Sequence, residues 1–277
     1  MITTAVYGLV DEEPVSPPRP SPSSNKVSII TYENRHTLWY LDRFKEINQR
    51  YCDYHGYKYI FYDSYSGEND MPPYWIKVKI LYDLIVSNNG YDYLMWIDSD
   101  AVINYENMKM ITIESYFANT DYTFIGAPDQ AEWNSPFNAG VWIVKGNQKG
   151  KEIMAKWLSY YGTCLWQFDP LQKQWISNGH TASVHTDPDW AGICYEQGSF
   201  GILIMQDKHE YGNFIQMKEW YTLQFVDSKD NKYAVEVKKK KQKRKKIFVI
   251  HFAAGYKDAI EPYLNEHQNS INKMLIF

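Results

Sequence analysis

Short apolar runs alternate with amphipathic segments of helical period through the first hundred residues of the chain. Three runs have the length and apolar content of buried strands: Val27–Tyr32, 57–62 and 91–97. Between them, segments 39–54 and 75–86 place apolar residues on one face at the spacing of an α-helix. Strands and helices in alternation predict an α/β fold with a mostly parallel central sheet flanked by helices.

The later part of the chain continues this pattern and indicates three more strands and three more helices. The strands are expected at 124–126, 140–145 and 247–251, and the helices at 149–161, 196–205 and 260–274. A length of 277 residues suits a single large domain. We expect this domain to occupy residues 26–277.

Two segments do not have the composition of a packed domain. Residues 1–25 end in the proline- and serine-rich stretch EPVSPPRPSPSSN, which predicts a flexible arm. Segment 238–246, KKKKQKRKK, carries eight positive charges in nine residues. It is typical of a solvated basic loop between two strands, or of a contact site for an anionic partner. Because the net charge is −4, a general polyanion binder is excluded and no specific nucleic-acid binding is expected.

Cysteine usage and hydropathy bear on the compartment. Cys52, Cys164 and Cys194 are odd in number, far apart and without a CxxC pair, so we expect neither a disulfide framework nor a zinc site. That pattern favours a reducing compartment. There is no run of about 18 apolar residues to span a membrane, and no secretory signal is evident. We therefore expect a soluble, cytoplasmic protein, or one of the Golgi lumen if an anchor lies outside this chain.

Aromatic residues are unusually frequent. They make up 17% of the chain, with 24 Tyr and 10 Trp. Most single rings of this kind pack in cores and strands, whereas some line carbohydrate or base-stacking clefts.

The strongest chemical signal follows the strand at 91–97. This apolar run ends in Asp98-Ser99-Asp100, so two carboxylates lie close together at its carboxyl end. Close carboxylates repel one another unless they share a proton or bind a cation, and a hard divalent ion such as Mn²⁺ or Mg²⁺ suits them. Asp and Ser are also common in ordinary turns, so the Asp-x-Asp (DXD) pattern alone is a moderate signal.

Further polar residues stand at the ends of other predicted elements. His251 ends the late strand as Asp98 ends the earlier one, and it would complete a metal site, although a single histidine is more often structural. Lys77 on the second helix and Lys257 after the late strand are placed to meet a diphosphate. A plain exposed charge is the competing interpretation of Lys77.

Two more stretches are candidates for the sugar end of a site. Asn138 and Gly140 precede a strand, where glycine permits close approach of a ligand, although a simple turn explains them equally well. Glu196 and Gln197 begin a helix, where an acidic residue is favoured by the helix dipole in any case.

Taken in order, these stretches resemble a known family. The series VSIITYENRHT, WIK, WIDSDAVI, FNAGVWIV, EQGSF and HFAAGYK is similar to the nucleotide-sugar glycosyltransferases of Rossmann-like GT-A fold, and most similar to glycosyltransferase family 34. That family includes yeast-type galactosyl- and mannosyltransferases and plant xyloglucan xylosyltransferases. The resemblance covers roughly residues 26–257.

The resemblance implies a role for each matching position. The metal, Mn²⁺ or Mg²⁺, would be bound by Asp98, Asp100 and His251. The donor, a UDP- or GDP-linked sugar, would contact Thr31, Tyr32, Lys77, Asp98, Ser99, Gly140, Gly255 and Lys257. The reacting carbon and the acceptor would lie near Asn138, Glu196 and Gln197.

The implied function is metal-dependent transfer of a hexose or pentose to a glycan or glycoprotein hydroxyl, with retained configuration, in glycan biosynthesis. Three departures from the family pattern stand out. Glu196 replaces an aspartate, Ala254 replaces a glycine, and the membrane anchor and luminal stem of the family are absent.

Two other functions are compatible with parts of the sequence. IDSDAV also fits the opening motif of haloacid-dehalogenase-like phosphatases, with Asp98 as nucleophile and Asp100 as acid/base. Against this, the motif lies a third of the way along the chain, and the late strand ends in His251 rather than in paired acids. A glycan- or RNA-binding protein that uses the lysine tract is the second alternative.

Overall fold

The computed structural model describes residues 26–274 except 88, 130–134, 173, 178–179, 182–191, 193, 207, 227–235 and 238. The predicted arm at 1–25 lies outside the described residues. Twelve strands are present in this part of the chain: β1 Val27–Tyr32, β2 Lys58–Tyr62, β3 Tyr93–Ile97, β4 Ala101–Ile103, β5 Phe124–Gly126, β6 Val141–Lys145, β7 Trp166–Asp169, β8 Gln174–Ser177, β9 His180–Thr181, β10 Ile215–Met217, β11 Gln224–Val226 and β12 Val249–His251.

The described residues also form seven α-helices and three short 3₁₀-helices. The α-helices are α1 Leu41–His55, α2 Pro73–Val86, α3 Gln148–Thr163, α4 Glu196–Gln206, α5 Lys208–Tyr211, α6 Lys241–Arg244 and α7 Ile260–Met274. The 3₁₀-helices are η1 Glu114–Phe117, η2 Gly212–Phe214 and η3 Ala254–Ala259.

Local chemistry accounts for several helix ends. Pro73 begins α2 at a position where its missing N–H leaves no hydrogen bond unmade. Gly56 ends α1 in the left-handed conformation, with φ of 76°, and its N–H bonds the carbonyl of Cys52. At the start of α3, the side chain of Asn147 accepts a hydrogen bond from the N–H of Gly150.

The central sheet has six strands in the order β10-β5-β6-β3-β1-β2. β3, β1 and β2 are parallel, as are β5 and β10, whereas β6 runs antiparallel to both of its neighbours. The predicted α/β class with a mostly parallel sheet is confirmed. The predicted strands and helices all exist, with boundaries within two residues for most of them.

Burial on both faces explains why the inner strands are apolar at every position. Along β3, Leu94 and Trp96 belong to the core on one side of the sheet, and Met95 and Ile97 belong to the core on the other. Successive side chains of a strand point to opposite faces, so a sheet covered on both sides needs apolar residues throughout. α2 and α3 cover the first face.

A second, three-stranded sheet brings the late part of the chain to the end of β3. Its order is β11-β12-β4, and only the three residues of the turn 98–100 separate β3 from β4. β12 pairs antiparallel with β4, so that His251 lies opposite Ala101. The N–H of Phe252 also bonds the carbonyl of Asp100, at 2.9 Å. The late strand therefore ends beside the Asp-x-Asp turn.

Many of the aromatic residues form core, as expected for most single rings. Phe124, Phe137, Trp142, Trp157 and Phe200 pack together with ring centroids 4.4–6.2 Å apart. All five side chains are fully buried.

The prediction that the cysteines form no disulfide is wrong. Cys164 and Cys194 form a disulfide with a Cα–Cα distance of 5.6 Å, and Cys52 is free and buried. α3 ends at Thr163 and α4 begins at Glu196, and the packing of these helices brings the two cysteines together although they are 30 residues apart. The separation of two cysteines in the sequence does not show that they form a disulfide, because only the fold brings the two ends of a long connection together.

The described part of the lysine tract forms a short helical turn, α6, and not only a loop. Several of its charges are paired. Lys240 lies 2.5 Å from Glu236, and Arg244 lies 2.7 Å from Glu106. The tract therefore folds back on acidic residues of its own chain.

Candidate active site

Asp98 directly follows β3, and several hydrogen bonds hold its carboxylate and its backbone N–H. Both of its carboxylate oxygens accept hydrogen bonds from the Lys77 ammonium, at 2.8 and 3.0 Å, and Oδ1 also accepts one from the Trp96 indole at 2.6 Å. Its backbone N–H bonds the carbonyl of Gly140. The carboxylate is therefore oriented before any ligand arrives, and Oδ2 keeps acceptor capacity on the side of His251.

Lys77 is buried on α2 and joins two acidic residues. In addition to Asp98, its Nζ lies 3.5 Å from Glu196 and 3.4 Å from the carbonyl of Ala139. Burial alone would lower the pKa of Lys77, but the charges of Asp98 and Glu196 outweigh it and raise that pKa. The exposed-charge interpretation of Lys77 does not hold, since its ammonium binds inside the protein.

Asp100 lies on the other side of the turn between two cationic side chains. Its Oδ1 is 3.2 Å from Nε2 of His251, and its Oδ2 is 3.2 Å from Nζ of Lys257. Burial would raise the pKa of Asp100, but hydrogen bonds and charge from His251 and Lys257 hold it well below its usual value. Burial would likewise lower the pKa of His251, yet Asp100 raises it.

A glutamine behind His251 fixes its orientation. Oε1 of Gln224 is 3.2 Å from Nδ1 of the imidazole, and Nε2 of the same amide donates to the carbonyl of Asn138 at 2.9 Å. Because a carbonyl only accepts, the amide nitrogen must face Asn138 and its oxygen must face His251. Nδ1 of His251 therefore carries a proton, and Nε2 is the nitrogen presented to Asp98 and Asp100.

Gly140 is required by the close approach of His251. A β-carbon at this position would lie 2.6 Å from Nδ1 of His251 and 3.0 Å from Oδ1 of Asn138. The glycine was predicted to admit a ligand, but in the structure it admits the imidazole of the same chain. By contrast, a β-carbon on Gly255 would meet nothing within 4 Å.

The ligand atoms of Asp98, Asp100 and His251 all lie within 4.8 Å of one another. Around an octahedral ion with bonds of about 2.1 Å, neighbouring ligands are about 3 Å apart and opposite ones about 4.2 Å. Nε2 of His251 lies 3.2 Å from Asp100 and 4.0 Å from Asp98. Two carboxylates and an imidazole thus have donor types and spacings that fit a divalent cation such as Mn²⁺.

Asn138 and Gln197 belong to a buried network next to the metal-ligand cluster. Asn138 donates to Asp129 at 3.0 Å and accepts from the N–H of Gly140 at 2.9 Å. The Gln197 amide accepts from the N–H of Ala139 at 3.1 Å and donates to Asp129 at 3.2 Å. The loop at 138–140 and the start of α4 are therefore held together.

Glu196 lies at the start of α4, close to Lys77. Burial raises the pKa of its carboxyl; Lys77 lowers that pKa and Asp98 raises it, and the net result is a raised value. Two buried tryptophans hold the chain here, since the indole of Trp157 donates to the carbonyl of Glu196 and that of Trp75 donates to the carbonyl of Cys194.

Glu33, just after β1, is the centre of a second group of polar side chains. The buried carboxylate of Glu33 accepts hydrogen bonds from Ser99 at 2.6 Å and from the Arg35 guanidinium at 2.7 and 2.8 Å. Thr31, a predicted nucleoside contact, uses its hydroxyl inside the protein, donating to the carbonyl of Ile97. Tyr32 donates to Glu68 at 3.0 Å.

The structure brings Lys77, Asp98, Asp100, Asn138, Gly140, Glu196, Gln197, His251 and Lys257 into one connected region. Ser99 joins it through Glu33, whereas Thr31 and Tyr32 lie at the neighbouring strand end. Five contributors were not recognised in the sequence: Glu33, Arg35, Trp96, Asp129 and Gln224. Glu33 and Arg35 lie within three residues of the end of β1, so their position after a parallel strand could have marked them as candidates. No sequence pattern marks Gln224.

Residues 23–117 match the profile of the galactosyl transferase GMA12/MNN10 family. Xyloglucan 6-xylosyltransferase 2 of Arabidopsis thaliana is 26% identical over 113 residues, which are 39% of this chain and 23% of the relative. Xyloglucan 6-xylosyltransferase 4 of the same plant is 25% identical over 111 residues, which are 39% of this chain and 21% of the relative. The chain thus matches less than a quarter of the length of these relatives.

The fold is shared with a solved glycosyltransferase involved in the glycosylation of the major capsid of PBCV-1. The two structures superpose with a TM-score of 0.56 over 87% of this chain and 99% of that one, at 16% sequence identity. The chain has the GT-A fold, and residues 23–117 are similar to glycosyltransferase family 34. This assignment favours the glycosyltransferase interpretation of the Asp-x-Asp turn over the phosphatase and binding-protein alternatives.

None of the helices in the described residues is long and apolar enough to cross a membrane.

Proposed function

We propose that the protein transfers a hexose or pentose from a nucleotide-diphosphate sugar to a hydroxyl of a glycan or glycoprotein, in a reaction that requires Mn²⁺ or Mg²⁺. The observation that carries this proposal is the cluster of Asp98, Asp100 and His251 at the carboxyl ends of β3 and β12. Ligands of α/β sheets bind at such strand ends, and the cluster fits a divalent ion. A bound cation supplies Lewis-acid stabilisation of the leaving diphosphate.

Different residues would orient the metal ligands and bind the diphosphate. Gln224 holds the imidazole of His251, and Lys77 and Trp96 hold Asp98, so the ligands do not have to reorganise when the donor binds. Lys257 is the more exposed of the two site lysines and is the one we assign to the diphosphate. Lys77, which is already bound by Asp98 and Glu196, positions those carboxylates and acts on the donor only through them.

The sugar end of the donor is assigned to Asn138, Glu196 and Gln197. Their network is buried and continuous with Gly140, which contacts the metal-ligand histidine. Glu196 lies beside Lys77 and is not free to act as a general base. This supports a retaining reaction in which the leaving phosphate oxygen accepts the proton of the acceptor hydroxyl.

UDP is the nucleotide we propose first, with GDP as the second choice. The uridine would lie at the ends of β1 and β3, near Thr31, Tyr32 and Ser99. Since the Thr31 hydroxyl is already used inside the protein, its contact would be made through the backbone. Glu33 and Arg35 lie at the same edge and are further candidates for binding the nucleotide.

An oxidising compartment is proposed for the working enzyme. The disulfide between Cys164 and Cys194 is the supporting observation, because such bonds persist in secretory and extracellular spaces and are reduced in the cytosol. The Golgi lumen is one such space, and the reducing compartment favoured by cysteine spacing loses its basis.

The test is the melting temperature of the full chain with Mn²⁺ and a panel of nucleotide diphosphates and nucleotide sugars. At a hundredfold excess over its dissociation constant, a ligand stabilises the folded state by about 2.7 kcal/mol. We expect one nucleotide with Mn²⁺ to raise the melting temperature, and EDTA or Asp100→Asn to remove that shift. The matched variant Asp92→Asn, outside the cluster, should keep it.

Turnover of the same nucleotide sugar should follow the same pattern, measured as release of the free nucleotide. Absence of a shift with every nucleotide, or a full shift in both Asp100→Asn and His251→Gln, would contradict the proposed donor site.

A further inference from the structure

Three aromatic side chains from separate parts of the chain meet beside α4. Tyr74 lies on α2, Trp166 begins β7, and Tyr195 directly precedes α4. Their ring centroids are 5.7 Å apart for Tyr74 and Trp166, 4.8 Å for Tyr74 and Tyr195, and 6.1 Å for Trp166 and Tyr195. Each pair is tilted or edge-to-face, so the three rings form one aromatic cluster.

The polar atoms of all three side chains have no hydrogen-bond partner among the residues that the structure describes. Within the described residues, the hydroxyls of Tyr74 and Tyr195 and the indole nitrogen of Trp166 are buried and unpaired. Such a group typically costs about 1–3 kcal/mol, and native structures contain few of them. Three such atoms in one contacting cluster have hydrogen-bonding capacity that the described residues do not use.

The cluster adjoins the region assigned to the sugar. Tyr74 is three residues before Lys77, so the two lie on the same face of α2, one turn apart. Tyr195 is the neighbour of Glu196, and Lys77 and Glu196 are 3.5 Å apart. The Lys77–Glu196 pair thus separates the aromatic cluster from Asp98. All three residues are partly exposed although their hydroxyl and indole nitrogen atoms are buried, so a ligand can meet the exposed parts of the side chains and reaches the polar atoms only when neighbouring atoms move.

The disulfide braces this arrangement. Cys164 is two residues before Trp166, and Cys194 is directly before Tyr195. The covalent bond therefore joins the two segments that carry two of the three rings. The indole of Trp75 also donates to the carbonyl of Cys194, which ties the same point to α2 next to Tyr74. A preformed site of this kind loses little conformational freedom when a ligand binds.

We propose that Tyr74, Trp166 and Tyr195 form a subsite for an uncharged sugar ring of the acceptor. Aromatic faces suit the apolar C–H face of a pyranose, and the hydroxyls and indole N–H suit its hydroxyl groups. The three side chains carry no charge, and the adjacent Lys77 and Glu196 neutralise each other, so a phosphate is not the ligand. The assignment to the acceptor, and not to the donor, rests on the proposed function, since the donor is assigned to the Asp98 side of the pair.

The experiment uses saturation-transfer NMR on the full chain with the methyl glycosides of glucose, galactose, mannose and xylose. The test variant is Tyr74→Phe/Tyr195→Phe, which keeps both rings and removes both hydroxyls. Tyr82→Phe on the same helix is the matched control, because it removes a hydroxyl outside the cluster. A second test variant, Trp166→Phe, removes the indole N–H.

We expect at least one glycoside to bind the wild type and the control equally, and to bind each test variant roughly tenfold more weakly, because a lost hydrogen bond within a site built around it has about that effect. The melting temperature of the double variant without sugar should not fall, since only unpaired hydroxyls are removed. A merely structural role would lower it and leave glycoside binding unchanged.

Two results overturn the subsite: no glycoside gives a signal with the wild type, or the test variants bind as the wild type does. The shift of the melting temperature with UDP and Mn²⁺, measured on the same samples, separates this outcome from failure of the proposed function. If that shift is kept while sugar binding fails, only the subsite is wrong. If sugar binding depends on the cluster while no nucleotide binds, the donor site is wrong and the sugar site stands.

Discussion

Gly140 and His251 are packed so closely that no side chain fits between them. A β-carbon on Gly140 would lie 2.1 Å from Cε1 of the imidazole, far inside van der Waals contact. Since His251 is held from behind by Gln224, the ring cannot move away without breaking its hydrogen bond. The position of one candidate metal-ligand atom therefore depends on the lack of a side chain at Gly140.

Gly140→Ala should therefore weaken Mn²⁺ binding and lower stability, because the imidazole must leave its position. Overpacking of this kind costs about 1–3 kcal/mol. Calorimetric titration with Mn²⁺ and urea unfolding measure the two effects. The control is Gly162→Ala in α3, where an added β-carbon meets nothing within 4 Å. Equal Mn²⁺ affinity in both variants would show that His251 is not a ligand.

Lys77→Met should be among the most destabilising changes in the chain. It leaves Asp98 and Glu196 buried without their shared cation, and breaking a buried ion pair on one side costs about 3–5 kcal/mol. Lys79→Met on the same helix removes a more exposed pair with Asp83 and should cost about 0–1 kcal/mol. Urea denaturation compares them, and equal losses would contradict the role assigned to Lys77.

Gln224→Leu should reduce Mn²⁺ affinity about 10–100-fold, the usual effect of removing the partner that orients a ligand histidine. Gln216→Leu is a suitable comparison, since the side-chain oxygen of this glutamine has no hydrogen-bond partner. Titration with Mn²⁺ decides between them. If Gln224→Leu binds Mn²⁺ as tightly as the wild type does, the proton on Nδ1 of His251 is not held by this amide.

Loss of the disulfide should lower stability by about 2–4 kcal/mol, because it frees a loop of about 30 residues in the unfolded chain. Cys164→Ser/Cys194→Ser tests this by thermal unfolding. Thiol titration in denaturant provides the independent check, with one reactive thiol, from Cys52, before reduction and three after it. Three thiols in the unreduced protein would disprove the bond.

The strands that carry the site could be predicted where a run of adjacent apolar residues marks them. Asp98 follows five consecutive strand residues, and His251 follows a short apolar run, so both strand ends were visible. β4 and β11 have three residues each, too few for a periodic pattern, and both were missed. Their pairing with β12 is nevertheless what brings His251 to Asp100.

Contacts between distant residues could not be predicted in the same way. Gln224 is 27 residues from His251, and Cys164 is 30 residues from Cys194. Neither sequence separation is characteristic of a contact, because the fold alone decides which distant side chains meet. The same holds for Lys77, whose predicted partner was a phosphate and whose partners in the structure are two carboxylates of the protein itself.

The turn between β3 and β4 joins two separately hydrogen-bonded sheets, and the three candidate metal ligands are divided between them. Asp98 terminates a strand of the six-stranded sheet, whereas His251 terminates a strand of the three-stranded one. An ion held by all three side chains would therefore link the six-stranded sheet to the three-stranded sheet. Movement of one sheet relative to the other would change the distances between the ligand atoms. The affinity for the ion therefore depends on how rigidly the two sheets are held together.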